Sequence, residues 1–316
     1  MQKTFVIDSL GKPCLPCHPA RSRKLLRAGK ARVIQVVPFT IQLNYKIKNP
    51  VGGFIAGVDD GSKKVGVAIV NDKTNEVVFK GQIELRQDVK RLMEQRRNYR
   101  RARRSRNLRY RQPRFDNRIS SKLAPSIRQK KDSILRFLSD MMKRINICQV
   151  IVEEVKFNHA KYRYGKFFSL VEQGKNYLRE QVSKLGLFYE TRFGYETKAR
   201  RVAIGLSKTH SNDAISICCN SKPIISCLEW IIKPRRARIW RNNPTKTCTE
   251  KNGFQHYDLV KAKHKTKGYV IGSIRSLKAR TITLRTKWND NFPVSYSKAK
   301  LLQRPQGLIY RYVLTS

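Results

Sequence analysis

Acidic residues are scarce in this chain. Asp and Glu number 22 against 68 Lys and Arg, and the formal net charge is +46. A balance this far from neutral says little about fold, but it bounds partners. It excludes a protein that works among neutral partners alone and points to nucleic acid, with an anionic membrane surface as the weaker alternative. Long apolar runs are also missing. No stretch approaches the roughly 18 residues needed to span a bilayer, and no apolar segment of the secretory type follows the N-terminus. The expected setting is intracellular: cytoplasmic and nucleoid-associated, or the stroma or matrix if the chain is organelle-encoded. Cysteine is present but odd in number, at seven, which argues for reduced thiols over a disulfide framework. Cys14 and Cys17, followed by His18, match the C-x-x-C-H spacing of haem attachment and half of a zinc site, but no second ligand pair exists at zinc spacing. Cys218 and Cys219 sit in an apolar run and read as small core residues. The G-x-x-x-x-G-K-[ST] spacing of a P-loop is absent.

What is there is arginine. Residues 86–114, RQDVKRLMEQRRNYRRARRSRNLRYRQPR, hold thirteen Arg and Lys against two acids, Asp88 and Glu94. Nothing in the stretch opposes a helix before Pro113. Arg96, Arg97, Arg100, Arg101, Arg103 and Arg104 go all round a 3.6-residue turn, so no face is left for a protein core. Alone, such a helix repels itself. It is stable when polyanion lies on more than one side, and the planar fork of arginine suits phosphate. Arg106, Arg109 and Arg111 extend the candidate nucleic-acid contact. A basic tail is the plainer reading, but the block is internal, and Leu92, Met93, Tyr99, Leu108 and Tyr110 interrupt it.

Taken in order, residues 1–52 form a small basic unit with ten Lys and Arg and one acid, Asp8. A strand at 4–7 leads to a turn. A helix then starts at Pro19 and stops before Gly29, exposing Arg21, Arg23, Lys24 and Arg27 as further candidate phosphate contacts. Two extended runs follow at 32–37 and 39–45. Residues 54–59, 65–70 and 76–83 read as three strands, the last two joined by the turn residues 71–75. Gly57 and Gly61 are read as allowing a ligand close to the backbone. A helix is expected at 126–145, a strand at 148–152, a loop at 159–171, a helix at 172–185 and a strand at 188–190. Residues 194–206 read as a lead into a capped apolar helix that begins near residue 207. Residues 228–252 read as a basic linker, with Arg235, Arg236, Arg238 and Arg241. Five short strands at 258–262, 269–274, 281–286, 295–302 and 308–313 suggest a small barrel in the C-terminal unit, 253–316.

Three acids stand at the ends of apolar elements: Asp59, Glu153 and Asp213. Strand ends along one edge of an α/β sheet are where ligands bind. Carboxylates gathered there in so cationic a chain suggest a hard divalent cation, Mg2+, shared with substrate phosphate. Two such ions about 4 Å apart activate a water and stabilise the leaving oxygen of a phosphodiester. His210, three residues before Asp213, is placed to orient or deprotonate that water. Each residue alone also has a plain reading as a turn, cap or solvated group. Asp60 and Glu154 are not chosen, because side chains alternate along a strand.

These residues carry a resemblance. GVDDGSKKVGVAI, VIVEEVKFN and KTHSNDA resemble the three split motifs of RuvC-type, RNase H-fold nucleases. RRARR at residues 100–104 resembles the RRXRR motif and bridge helix of the IscB group of transposon-encoded, RNA-guided nucleases. KPCLPCHPARSRKLL resembles that family's N-terminal P-L-M-P module. GYETKARRVAIGLSKTHSNDA resembles the segment leading into its third motif. GYVIGSIRS and the tail through GLIYRY resemble its C-terminal domain, which reads a motif flanking the target. The resemblance implies an α/β fold: an RNase H-like (RuvC) core, with its first motif at 53–85 and its second and third at 115–227. The 86–114 bridge helix splits it, between a basic N-terminal α+β module and a C-terminal β-barrel-like domain.

It further implies metal ligation by Asp59, Glu153 and Asp213, with His210 assisting catalysis. The cofactor would be Mg2+, two ions with Mn2+ able to substitute. The partners would be a guide RNA and a target DNA, bound by a monomer in a ribonucleoprotein. About fifty residues separate Phe157 from His210, and they hold no HNH nuclease. This resembles the shorter IsrB branch and implies a nickase of the strand not paired to guide. Asp60 stands where the family usually has proline, which leaves open whether Asp59 or Asp60 faces the metal. Two other readings remain: an unguided RuvC-like nuclease acting on branched DNA, or a catalytically inactive basic RNA-binding protein.

Overall fold

The computed structural model describes residues 2–47, 52–106, 109, 123–155, 170–234, 250–266, 268–286, 291–304 and 307–312. Arg111, most of the expected 159–171 loop, and Arg235, Arg236, Arg238 and Arg241 lie outside these residues.

The N-terminal unit is β1 (Phe5–Ile7), α1 (Pro19–Arg27), β2 (Ala31–Gln35) and β3 (Thr40–Leu43). Its sheet runs β1-β3-β2, with β1 parallel and β2 antiparallel to β3. Pro19 opens α1, and Arg21, Arg23, Lys24 and Arg27 are all exposed. Cys14 is buried beside Val6, Ile41 and Leu43, and burial pushes its thiol above the ordinary range.

The central sheet begins as a meander of β4 (Phe54–Asp59), β5 (Lys64–Asn71) and β6 (Glu76–Glu84). Asn71 closes the β5–β6 turn by accepting from the amides of Lys73 and Thr74. After α2 (Val89–Ser105) and α3 (Pro125–Met142), β7 (Ile147–Glu154) pairs in parallel with β4. α4 (Leu170–Lys184) then returns the chain to β8 (Phe188–Phe193), parallel to β7. α5 (Gly194–Ala203), α6 (His210–Cys218), β9 (Ile224–Ile225) and β10 (Glu229–Pro234) follow. One layer is built on Phe79, Ile134, Phe137, Leu138 and Leu178, which seats α3 and α4 on one face. The other holds Ile55, Ala68, Ile151, Ala214 and Ile215, which seats α6 on the opposite face. Cys218 and Cys219 are buried in this second layer. No helix among the described residues is long and apolar enough to cross a membrane.

Four sequence expectations need correction. Residues 194–206 are not only a lead-in, since ten of them form α5, whose Glu196 carboxylate accepts from the Phe193 amide at 2.9 Å. The 228–252 segment is not all linker: β10 lies parallel to β6 and buries Trp230 against Phe79. The strand expected at 295–302 is two. β16 (Asn291–Ser295) and β17 (Ala299–Gln303) are separated by a 3₁₀ turn at Tyr296–Lys298. Finally, β18 (Leu308–Tyr312) leaves the C-terminal unit and pairs with β10 at the edge of the central sheet. Its Tyr310 and Tyr312 pack on Trp230, and burying aromatic area favours that edge.

The small hairpin strands β11 (Glu250–Lys251) and β12 (Phe254–Gln255) lie at the start of the C-terminal unit. That unit also contains β13 (Leu259–His264), β14 (Gly268–Leu277) and β15 (Thr281–Arg285). It is an antiparallel sheet in the order β16-β15-β14-β13-β17; among the described residues its two outer strands are not hydrogen-bonded to each other, so it is not a closed barrel.

Gln303 joins this sheet to the N-terminal unit. Its Oε1 accepts from the Val36 and Val37 amides, both at 2.9 Å, and its Nε2 donates to the Val37 carbonyl at 2.8 Å. Gln303→Ala leaves two half-buried backbone amides unpaired, while the Val37 carbonyl keeps Gln35 Nε2 at 2.7 Å, and the expected loss is about 1–3 kcal/mol of stability. A lower urea midpoint at unchanged m-value checks it. An unmoved midpoint would show that the two units are held elsewhere.

Candidate active site

The parallel pair β4–β7 sets the first two acids. Val58 stands beside Val152, so Asp59 and Glu153 are the next residues along their strands. Phe54, Ala56 and Val58 point into the α3–α4 layer, while Ile55 lies in the α6 layer. Alternation then puts Asp59 on the α6 side. Likewise Val152 belongs to the first layer and Ile151 to the second, which puts Glu153 on the α6 side as well.

The neighbouring acids face the other way. Asp60 forms an ion pair with Lys131 of α3. Glu154 accepts from the Tyr189 hydroxyl at 2.9 Å and lies 3.6 Å from Arg179 of α4. The choice between Asp59 and Asp60 is thus a matter of strand parity: Asp59 faces α6, and Asp60 is held by α3.

Helix α6 brings the third acid. Its N-cap is Thr209, whose hydroxyl accepts from the Asn212 amide at 3.1 Å, so neither His210 nor Asp213 is needed as a cap. The helix lies directly on bare backbone. A Cβ on Gly57 would stand 2.1 Å from the Ala214 carbonyl oxygen, and one on Gly66 would stand 1.8 Å from that of His210. Gly57 therefore serves helix–sheet contact and not the close approach of a ligand expected from sequence. At Gly61, too, a Cβ would meet the Lys64 carbonyl and the His210 ring.

With the helix seated so close, His210 Nδ1 lies 2.6 Å from Asp59 Oδ2. Asp213, in the first turn of α6, lies 2.8 Å from Arg201 Nε of α5. Glu153 Oε1 lies under α5, about where a Cβ on Gly194 would be 3.0 Å away.

The acids sense one another. Burial pushes the Asp59 carboxyl above its ordinary range; His210 opposes the rise, and Asp213 and Asp60 add to it. Burial likewise raises Glu153, with Asp59 and Asp213 adding to it and Thr197 and His210 opposing. Partly buried carboxylates that repel each other favour a cation between them, and oxygen donors suit a hard divalent one. By type and by facing, Asp59, Glu153 and Asp213 fit such an ion. As placed, no three His, Cys, Asp or Glu side chains among the described residues stand close enough to share one; His210 lies against Asp59 and Arg201 against Asp213. With Nδ1 engaged by Asp59, Nε2 is the His210 ring nitrogen left for another partner. The His210 side chain is 43% exposed, the Asp59 side chain 13%.

The candidate contacts on α2 form a separate surface. α2 has no buried residue, and Arg96, Arg97, Arg100, Arg101, Arg103, Arg104 and Arg106 are all exposed. Arg109 lies beyond the helix and is exposed.

Sequence reasoning missed Thr197 and Arg201 because they belong to a helix it did not assign, and because one arginine among so many carries no signal. It also missed Ser211, whose hydroxyl donates to Glu229 of β10 at 2.8 Å. Gln82 donates to the same Glu229 oxygen at 2.7 Å. The doublet Arg200-Arg201, at helical spacing from Thr197, was the available clue.

A sequence profile described as RRXRR protein matches residues 4–175, more than half of the chain. No curated protein matches. Among solved structures, Thermus thermophilus RuvC is similar both alone and in complex with a Holliday junction substrate. Each is 14% identical, covers 52% of this chain and 90% of that chain, and has a TM-score of 0.32.

Proposed function

The chain belongs to the RRXRR protein family, and from that premise we propose that it is a RuvC-like, metal-dependent endodeoxyribonuclease. We further propose that a bound RNA guides it, and that it nicks the DNA strand not paired to that guide. One observation carries the nuclease reading: Asp59, Glu153 and Asp213, remote in sequence, face the same side of the sheet beside His210, and their carboxyls are electrostatically coupled. Mg2+, or Mn2+ in its place, would activate water and stabilise the leaving oxygen of the phosphodiester. Asp59, Glu153 and Asp213 would hold it. Through Nε2, His210 takes the proton of the attacking water, while Asp59 keeps the ring oriented through Nδ1. A single such site cuts a single strand.

The guide RNA reading is supported by charge and shape. α2 has no buried residue, and its arginines, exposed from Arg91 on, go round the helix, an arrangement suited to polyanion on more than one flank. Base pairing would supply sequence specificity, while the protein grips backbone and its C-terminal sheet reads a flanking motif. Purification of the chain from its host, followed by sequencing of the co-purifying RNA, tests this. One abundant structured species is expected, and a random mixture would overturn guidance.

Arg100→Ala combined with Arg104→Ala is expected to weaken RNA binding and to reduce the slope of log affinity against log salt by about one to two. A titration across salt concentrations reads it. An unchanged slope would remove phosphate contact from these two arginines.

A further inference from the structure

Helix α5 crosses the carboxylate site and supplies groups to it one helical turn apart. Thr197, 2% exposed, donates to the Phe193 carbonyl at 3.3 Å, and its hydroxyl also favours the ionised form of Glu153. Four residues on, Arg201 meets Asp213. Residues at i and i+4 share a helix face, so a single face of α5 lies over two of the three acids. Gly194 opens this helix and leaves room for the Glu153 carboxylate.

The Arg201–Asp213 contact is close but not locked. Nε stands 2.8 Å from Asp213 Oδ1, and the two side chains are 12% and 18% exposed. Yet Nε–H is not aligned for a hydrogen bond to any partner. The attraction is therefore one of charge, without the paired, parallel bonds that make arginine–carboxylate forks hard to separate. A separate anchor holds the guanidinium: Nη1 donates to the Leu206 carbonyl at 3.2 Å, in the turn between α5 and α6. Arg201 can release Asp213 and remain tethered.

We propose that Arg201 is a positioning residue that acts as an internal counter-cation. It neutralises and orients Asp213 in the metal-free chain and competes with the divalent ion for that carboxylate. This rests on the nuclease reading above. A chain of charge +46 already disfavours cations, and a fixed guanidinium at the site adds a local barrier. The ion would then be taken up well only when bound nucleic acid has supplied compensating negative charge, which ties metal loading to substrate.

The test is Mn2+ binding to the full-length, RNA-free chain, read by loss of the free Mn2+ paramagnetic signal and by the metal-induced rise in melting temperature. Arg201→Gln is expected to bind Mn2+ about tenfold more tightly than the parent, because one adjacent positive charge has gone. Arg201→Lys keeps the charge and is expected to bind within about twofold of the parent. Asp213→Asn should lose the binding. A residue with only a structural role would lower the melting temperature of Arg201→Gln without tightening the metal. Binding that depends on Asp213 but is no tighter in Arg201→Gln overturns the role of Arg201 alone. Binding that is equal, or undetectable, in the parent, Arg201→Gln and Asp213→Asn overturns the metal site itself, and this inference with it.

Discussion

Asp59→Ala is expected to lower strand cleavage by about a thousandfold or more, the scale seen when a member of a catalytic unit is removed. RNA binding is expected to stay within about threefold of the parent, since one carboxylate adds little to an affinity driven by phosphate contacts. Asp59 touches His210 and is electrostatically coupled to Asp213 and Glu153, so its loss disturbs the whole constellation. A strand-resolved nicking assay beside an RNA-binding titration separates the two effects. Loss of RNA binding would show that the residue is structural.

Stability should move the other way. The Asp59 carboxyl is raised, chiefly by burial. A raised carboxyl favours the folded chain only when protonated. Its contribution is fully present below the unfolded value and is lost as pH rises through the folded one. At neutral pH the ionised group therefore opposes folding. The near-isosteric Asp59→Asn is expected to melt a few degrees higher than the parent at pH 7, with the gain disappearing in acid. A lower melting temperature at pH 7 would mean that the bond to His210 outweighs burial.

Gly66→Ala is expected to be the most damaging small substitution, at about 3–5 kcal/mol of stability. The added Cβ would fall 1.8 Å from the His210 carbonyl oxygen and 2.3 Å from its carbonyl carbon. Both are backbone atoms at the start of α6 and cannot swing aside. Gly66 lies opposite Asp59 in the β4–β5 pair, so the helix must lift from the strand that carries the first acid. His210 would leave Asp59, and Asp213 would move with it. Cleavage should fail even at temperatures where the variant remains folded. Gly57→Ala meets the Ala214 carbonyl oxygen at 2.1 Å and should act in the same direction. Denaturant unfolding together with the nicking assay checks both. Parental stability in Gly66→Ala would show that α6 does not rest on β5.

Much of this was legible beforehand for local reasons. Proline at the start of α1, the Asn71 turn and the apolar runs of β4 and β7 are signals contained within a few residues. Parity along a strand showed that Asp59 and Asp60, and Glu153 and Glu154, face opposite ways, because alternation is a property of the extended backbone itself; which of Asp59 and Asp60 faces α6 came from the packed layers. Elements without a local signature were lost. β10 was hidden at the head of the basic 228–252 segment, and it joins the sheet because β6 lies beside it and Trp230 packs on Phe79. β18 looked like one more strand of the C-terminal sheet, yet its tyrosines find their burial against Trp230.

By itself the amino-acid sequence determined the charge, an arginine-rich helix within residues 86–114 and the three candidate acids. All of these follow from composition and from the periods of helix and strand. The tertiary structure alone decided what those acids touch. That Gly57 and Gly66 seat a helix, that His210 reaches Asp59, and that Arg201 meets Asp213 depend on which backbones come together. Contacts between residues more than a hundred positions apart, such as that of Asp59 with His210, leave no periodicity in either segment. They exist because two packed layers leave α6 one place to lie.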